Sequence, residues 1–179
     1  MKTLNYIEPG QATGKVAELL MQVKKGLGVV PNIFKSFAVS PTVLEAYLKF
    51  SGSLSAGALD NRLKESIAVA VAGFNGCEYC ASAHTFIGRS KGVTDEELMV
   101  NLNGESLDRK TQTALNFVNE LLSHRGKVNC GTLQELESAG FSDEEVIEII
   151  AHVGMNIFTN YFNETFKTEN DFPPVKLSR

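Results

Sequence analysis

The stretch NRLKESIAVAVAGFNGCEYCASAHTFIGRS, residues 61–90, decides the fold class. Its first half is apolar on nearly every side beyond Glu65, which is typical of a helix at the centre of a protein. Asp60 precedes it as a helix N-cap, and the glycine-bounded turn GFNG ends it. A second helix then begins about Cys77. We therefore predict a pair of helices over about residues 60–88 that carries the functional site.

The rest of the chain shows further signals for helix starts. Ser40 is followed by Pro41, as expected for an N-cap with proline at the first helical position. Thr94 and Ser142 are each followed three residues later by glutamate, which predicts two capping boxes. No segment shows convincing strand alternation. We predict an all-α protein, a single-domain helical bundle over residues 1–179 with about seven or eight helices.

Composition and charge exclude several function classes. The formal net charge is −4 and no run is rich in lysine or arginine, so we expect no nucleic-acid partner. No apolar stretch is long enough to span a bilayer and the start shows no signal-peptide pattern, so we expect a soluble, cytoplasmic protein with no membrane partner. No glycine-rich nucleotide motif is present, and we expect no flavin or nucleotide cofactor.

Three cysteines occur in the chain: Cys77, Cys80 and Cys130. An odd count in a chain of this length does not indicate a disulfide scaffold. In a reducing compartment a C-x-x-C pair is more typical of catalysis or metal binding than of structure. Cys130 is predicted to lie in a loop as a spectator thiol, before a short helix that begins at Thr132.

The cysteine pair shares a predicted helix face with a histidine. Residues three, four and seven apart lie on one side of a helix, so Cys77, Cys80 and His84 form a stripe. The helix N-terminus favours a thiolate at Cys77, whereas the histidine spacing favours one at Cys80. We follow the histidine, because a base one turn away gives Cys80 a specific proton partner.

Glu65 is the odd charge on the preceding helix. It lies about eight residues before the turn, roughly 12 Å along the axis, and His84 lies about eight residues after it. If the two helices pack antiparallel, these side chains face each other across the sulfur pair. A carboxylate held inward there would act as a proton acceptor.

The spacing of these residues resembles a known family. Glu65, eleven residues, Cys77-x-x-Cys80, three residues and His84 is similar to the E-x11-C-x2-C-x3-H signature of alkylhydroperoxidase D and its carboxymuconolactone decarboxylase-like relatives. The segment LGVVPNIFKSFAVSP, residues 27–41, also looks like the peroxidase-related branch. The resemblance covers nearly the whole chain.

The resemblance implies an all-helical fold that assembles as a trimer or hexamer, and a thiol peroxidase activity. It makes Cys80 the peroxidatic cysteine and Cys77 the resolving one, with Glu65 and His84 as a proton relay. Tyr79 stands where alkylhydroperoxidase D has a histidine, and tyrosine titrates near 10, so this relay position differs. The implied partners are a peroxide substrate and a dithiol donor, either a lipoyl-protein or a thioredoxin-like protein.

Several other interpretations stay open. The two sulfurs and His84 match a zinc site with Glu65 as fourth ligand, although no metal is our expectation. The thiols also fit a purely structural role. At the level of function, the alternatives are a decarboxylase-like lyase and a non-catalytic redox sensor. On the last helix, His152 is more often a core residue than a catalytic one, while Asn156 and Asn160 fit pocket lining and polar packing equally.

Overall fold

The structure, a computed structural model, describes residues 4–177. Over this range it contains nine α-helices and no strand, which confirms the all-α class with one or two helices more than predicted. The helices are α1 (Gly14–Leu27), α2 (Asn32–Phe37), α3 (Pro41–Ser55), α4 (Asn61–Asn75), α5 (Glu78–Ser90), α6 (Asp95–Asn101), α7 (Arg109–Ser123), α8 (Cys130–Ser138) and α9 (Asp143–Phe166).

Helix α4 is the centre of the bundle, as its apolar sequence predicts. It packs against α5, α6, α7 and α9, and Ile67 and Val71 have no exposed surface. The Asp60 side chain caps its start by accepting the backbone N–H groups of Arg62 and Leu63. Gly76 ends the helix at φ +70°, a left-handed conformation that glycine adopts without strain. The chain then reverses direction, and α5 packs against α4.

Two apolar clusters flank this pair of helices. One joins α4 to α7, α8 and α9 through residues such as Phe117 and Leu136. The other joins α5 to α1, α2 and α3 around Phe37, and it includes Cys77 and Cys80. Burying a large apolar side chain contributes roughly 1.5–3 kcal/mol to the free energy of folding. Both clusters therefore stabilise the α4–α5 helix pair. The two sulfurs therefore belong to a packed core.

The two predicted capping boxes differ. At α9 the box is complete, because the Ser142 hydroxyl accepts from the Glu145 N–H and the Glu145 carboxylate accepts from the Ser142 N–H. At α6 the Thr94 hydroxyl accepts from the Glu97 N–H at 3.2 Å, but the Glu97 carboxylate binds Leu107 N–H instead of reaching back. No helix of residues 4–177, including the 24-residue α9, is both long enough and apolar enough for a bilayer crossing.

The predicted loop position of Cys130 is wrong. Helix α8 begins at Cys130 and not at Thr132, because Asn129 is the N-cap and its side chain accepts from the Thr132 N–H at 3.0 Å. The Glu120 carboxylate of α7 accepts from the Asn129 backbone N–H at 2.9 Å and holds this cap in place. Cys130 is therefore the first residue of a helix, and it is exposed.

The segment after α9, residues 168–177, folds back over α5. Asn170 and the Val175 backbone both donate to the Ser82 hydroxyl at 2.9 Å. Asp171 accepts from the Asn32 backbone N–H, also at 2.9 Å, and Phe172 packs near Tyr79. This C-terminal segment closes one side of the region that contains the cysteine pair.

Candidate active site

The two sulfurs of the C-x-x-C pair lie in contact at the start of α5. Cys77 is the N-cap residue, and its Sγ accepts from the Cys80 backbone N–H at 3.4 Å. The Sγ atoms of Cys77 and Cys80 are 2.9 Å apart, and both cysteines are free thiols. A disulfide requires about 2.05 Å. The pair therefore needs only a small approach to form one.

The surroundings favour a thiolate on Cys80. The hydrogen bond from Cys77 lowers the pKa of Cys80 to about 7; burial opposes this, and a hydrogen bond from Asn163 Nδ2 at 3.2 Å and the charge of His84 reinforce it. The same contact raises the pKa of Cys77, which acts as the donor, and burial raises it further. The structure thus separates the two thiols into an acidic Cys80 and a protonated Cys77.

Glu65 and His84 form a direct pair. Glu65 Oε2 lies 2.9 Å from His84 Nδ1 across the α4–α5 interface. Burial lowers the pKa of His84, but the hydrogen bond and charge of Glu65 together with the charge of Cys80 raise it above its ordinary value. In residues 4–177 no hydrogen bond joins His84 to either sulfur. The pair lies one helical turn from Cys80, where it is placed to hold a proton.

Tyr79 is turned toward the C-terminal segment. Its hydroxyl donates to Asp171 Oδ1 at 2.8 Å and accepts from the Ile33 backbone N–H at 3.3 Å. Burial raises the pKa of Tyr79, and the charge of Asp171 adds to the effect. The ring packs edge-on against Phe172 with centroids 5.7 Å apart. The tyrosine thus joins α5 to the C-terminal segment, and its hydroxyl stays protonated.

A cavity of about 500 Å³ opens beside this site. It is lined by α4, α5 and α9 together with residues of α1, α2, α3 and the C-terminal segment. Cys80, His84 and Glu65 belong to its wall, whereas Cys77 has no exposed surface and is absent from the described lining. Of the two sulfurs, a molecule in the cavity therefore meets Cys80.

Sequence reasoning missed part of this wall. Asn163 binds Cys80 from α9, 83 residues away in sequence. Asn156 lines the cavity and Asn160 does not. The Asn160 Oδ1 accepts from Asn75 Nδ2 at 3.0 Å, and the Asn160 side chain also helps to lower the pKa of Cys80. The signal that could have found the wall is the spacing of polar residues on the otherwise apolar α9: His152, Asn156, Thr159 and Asn163 all fall on one helix face.

The zinc interpretation has no ligand cluster in the described part of the chain. No group of three or more His, Cys, Asp or Glu side chains between residues 4 and 177 is arranged to hold a metal ion. The nearest candidates are divided into two pairs, the contacting sulfurs and the Glu65–His84 hydrogen bond. Each of the four side chains has a partner within its own pair: Cys77 contacts Cys80, and Glu65 contacts His84.

Comparison with known families finds a match around the cysteine pair. Residues 41–121, which contain α3 to α6 and most of α7, match the sequence model of the carboxymuconolactone decarboxylase family. The match surrounds the cysteine pair and agrees with the family resemblance predicted from the sequence.

Among curated relatives, the alkyl hydroperoxide reductase Rv2159c of Mycobacterium tuberculosis is 31% identical over 99 residues. The aligned region is 53% of this chain but only 29% of that relative. The chain therefore spans less than a third of the length of this relative.

Solved structures share the fold over nearly the whole chain. The alkylhydroperoxidase AhpD core of an uncharacterized peroxidase-related protein from Ralstonia eutropha JMP134 superposes with a TM-score of 0.83 at 23% identity, covering 94% of this chain and 92% of that one. A variant of the debrominase Bmp8 in complex with 2,3,4-tribromopyrrole gives 0.80 at 19% identity, covering 96% and 92%. At these identities the likeness establishes the fold alone.

Proposed function

We propose that this protein is a C-x-x-C-dependent thiol peroxidase that reduces hydroperoxides through a Cys77–Cys80 disulfide. The observation that carries the proposal is the arrangement of the sulfur pair: Cys80 faces the cavity with a lowered pKa, and Cys77 touches it from behind at 2.9 Å. The name of the mycobacterial relative, an alkyl hydroperoxide reductase, supports the same chemistry.

In the first step the Cys80 thiolate attacks one oxygen of the hydroperoxide. An S–O bond forms, the O–O bond breaks, and the thiol is oxidised to a sulfenic acid while the peroxide is reduced to an alcohol. The leaving alkoxide needs one proton. His84, whose pKa is raised above its ordinary value, supplies that proton, and Glu65 stabilises the imidazolium before the transfer.

In the second step the Cys77 sulfur attacks the Cys80 sulfenic acid. An S–S bond forms, the S–O bond breaks, and the hydroxide leaves as water with the proton of the Cys77 thiol. The contact distance between the sulfurs favours this step over release of the sulfenic acid to a second peroxide. A dithiol donor then returns two electrons and two protons. We propose a lipoyl-protein or a thioredoxin-like protein as that donor.

Thiol titration after peroxide addition tests the proposal. We expect two of the three thiols to be lost with one equivalent of peroxide, and continuous consumption when a dithiol is supplied. Loss of two thiols with a change of size in gel filtration but no turnover would instead indicate a redox sensor. No loss of thiols would contradict the peroxidase.

A lyase remains the second candidate, because the Glu65–His84 pair lines the cavity and the matched family is named for a decarboxylase. Acid–base chemistry on a lactone acid needs this pair but no sulfur. A double Cys77→Ser, Cys80→Ser variant that keeps full activity on a lactone acid would support the lyase. Loss of that activity in the double variant would count against it.

We also propose a homo-oligomer, a trimer or a hexamer. Helix α9 exposes several large apolar side chains, and such groups on a helix surface are typical of a contact with another copy. They are Ile147, Ile150, Phe158 and Tyr161. Light scattering at micromolar concentration measures the mass, and a monomer of 19.5 kDa would contradict this part of the proposal.

A further inference from the structure

The cavity is much larger than hydrogen peroxide requires. Its volume of about 500 Å³ falls within the range of roughly 300–1,000 Å³ that holds organic ligands. Aromatic and aliphatic side chains supply much of the wall, including Phe34, Tyr47, Met155 and Phe172. A molecule that fills this space and displaces its water has an apolar body of several carbon atoms.

One wall of the cavity carries a buried cation. Lys64 is 8% exposed, and its Nζ donates to the Ser55 carbonyl oxygen at 3.0 Å. Among residues 4–177 no carboxylate lies within 4.0 Å of this ammonium group. The nearby carboxylates have other partners, because Glu65 binds His84 and Glu148 accepts from the backbone N–H groups of residues 58 and 59. Glu148 is near enough for the Lys64 charge to lower the pKa of its carboxyl group, but in residues 4–177 no ion pair joins the two side chains. A buried cation without a paired carboxylate is costly, which favours an anion in the cavity.

His152 provides a second polar group in the same wall. The side chain is 5% exposed, and its Nε2 has no hydrogen-bond partner within the described chain. Burial lowers the pKa of His152, and the charge of Lys64 lowers it further. The charges of Glu148 and Glu65 act in the opposite direction but do not cancel the shift. A neutral imidazole that lines a cavity with an unpartnered nitrogen is suited to donate a hydrogen bond to a ligand oxygen.

The position of Lys64 along α4 sets the distance to the reacting sulfur. Lys64 is the neighbour of Glu65, which pairs with His84 one helical turn from Cys80. One turn is about 5.4 Å, which sets the scale of the separation between the cation and Cys80 along the cavity. A ligand that reaches both has its acidic group separated from its peroxide by a short apolar spacer.

We propose that the substrate is an organic hydroperoxide that bears a carboxylate, and that Lys64 and His152 bind this carboxylate at the end of the cavity away from Cys80. Only the hydroperoxide group of this substrate rests on the proposed peroxidase function; the carboxylate group is inferred from Lys64 and His152. Lys64 and His152 are binding residues in this scheme, and the reacting atoms stay at Cys80.

Binding of a molecule that cannot react tests the inference directly. The probes are 4-isopropylbenzoate and its neutral analogue 4-isopropylbenzamide, measured by calorimetry on the reduced protein. We expect the carboxylate to bind more tightly. In Lys64→Met its affinity should fall roughly ten- to hundredfold, the usual worth of a hydrogen bond to a charged group, while the affinity for the amide stays the same. Lys64→Arg should keep part of the preference.

Two control variants separate a local effect from overall charge. Lys127→Met removes one exposed lysine outside the cavity, and Lys91→Met removes the exposed lysine at its rim. Both should keep the preference for the carboxylate. The inference is overturned if the two probes bind equally to the natural protein, or if Lys91→Met and not Lys64→Met removes the preference. Thermal unfolding checks the fold, since 4-isopropylbenzoate should raise the Tm of the natural protein but not of Lys64→Met.

Turnover of a matched pair of peroxides separates this inference from the proposed function. Cumene hydroperoxide is compared with its para-carboxylate derivative. We expect a higher kcat/KM for the carboxylate derivative. In Lys64→Met this advantage should disappear because the KM for the carboxylate derivative rises. Equal turnover of both peroxides together with equal probe binding overturns the inference and leaves the peroxidase intact. Preferential binding of the acid without turnover of either peroxide upholds the carboxylate site and rejects the peroxidase.

Discussion

Two regions of this protein place a cysteine at the start of a helix, and they differ in everything else around the sulfur. Cys77 caps α5, and Cys130 opens α8. The pair at α5 is buried, has a second sulfur at 2.9 Å and receives a hydrogen bond from Asn163 to Cys80. Cys130 is exposed and has neither partner in the described chain. A helix start by itself therefore does not give a cysteine these surroundings; the tertiary contacts do.

The largest expected effect breaks the pair itself. Cys80→Ser should reduce hydroperoxide consumption to the uncatalysed background, because the attacking thiolate is gone. Cys77→Ser should stop turnover after one equivalent and leave a sulfenic acid on Cys80 that dimedone traps, detected by mass spectrometry. Cys130→Ser is the matched control and should keep the natural rate. The reverse pattern, with the sulfenic acid on Cys77, would overturn the assignment of the two sulfurs.

The next effect concerns the Glu65–His84 pair, which lies near Cys80. Glu65→Gln keeps the shape but removes the charge that holds His84 protonated, so we expect the rate of peroxide reduction to fall roughly a hundredfold. Stopped-flow measurement of the single-turnover rate checks this. Glu137→Gln on the exposed side of α8 is the matched control. An unchanged rate in Glu65→Gln would show that the proton comes from another source.

A smaller effect concerns the acidity of Cys80. Because its pKa is lowered to about 7, its thiolate fraction rises as the pH rises through 7, and its rate of alkylation by iodoacetamide should increase over the same interval. Asn163→Leu removes a donor to the thiolate, so the midpoint should move to higher pH and alkylation at pH 7 should slow roughly tenfold. Peptide mapping follows Cys80, with Cys130 as internal reference. Asn116→Leu, at an exposed position of α7, is the control, and an unshifted midpoint in Asn163→Leu would contradict this account.

The smallest effect concerns Tyr79. Tyr79→Phe removes the hydrogen bonds of the hydroxyl to Asp171 and from Ile33 but keeps the ring contact with Phe172, so we expect a loss of roughly 1–3 kcal/mol in the free energy of unfolding. The rate of peroxide reduction should change little, because the hydroxyl points to the C-terminal segment. Urea denaturation measures the stability, with the exposed Tyr161→Phe as control. A large loss of rate at unchanged stability would instead place Tyr79 in the proton relay.

The elements and part of the site could be predicted because their signals are local. Helix α4 and its turn follow from an apolar run, an aspartate cap and a glycine that takes a left-handed conformation. Cys77, Cys80 and His84 are separated by less than two turns, so helical periodicity alone puts them on one face. Glu65 was placed through the length of the turn, and the structure brings it directly to His84.

The remaining parts depend on contacts between distant segments. Asn163 and Cys80 are 83 residues apart, and Tyr79 and Asp171 are 92 residues apart. No local pattern fixes which faces of α5 and α9 meet. Lys64 escapes sequence-based prediction for another reason: beside Glu65 it resembles an ordinary surface charge. The tertiary structure shows that it is buried and lines the cavity. The position of Cys130 depends on Asn129 as the N-cap, a role that the predicted helix start at Thr132 does not include.

The depth of the sulfur pair restricts how electrons return to it. Cys77 has no surface contact with water and Cys80 is 3% exposed, behind a wall to which Phe172 contributes. Of the two proposed donors, we therefore expect a lipoyl-protein, whose sulfurs sit on a long and narrow arm, to reach the pair more readily than a thioredoxin-like protein, whose sulfurs sit on a folded surface. We expect the burial of the two sulfurs, as much as their chemistry, to decide which electron donors can regenerate them.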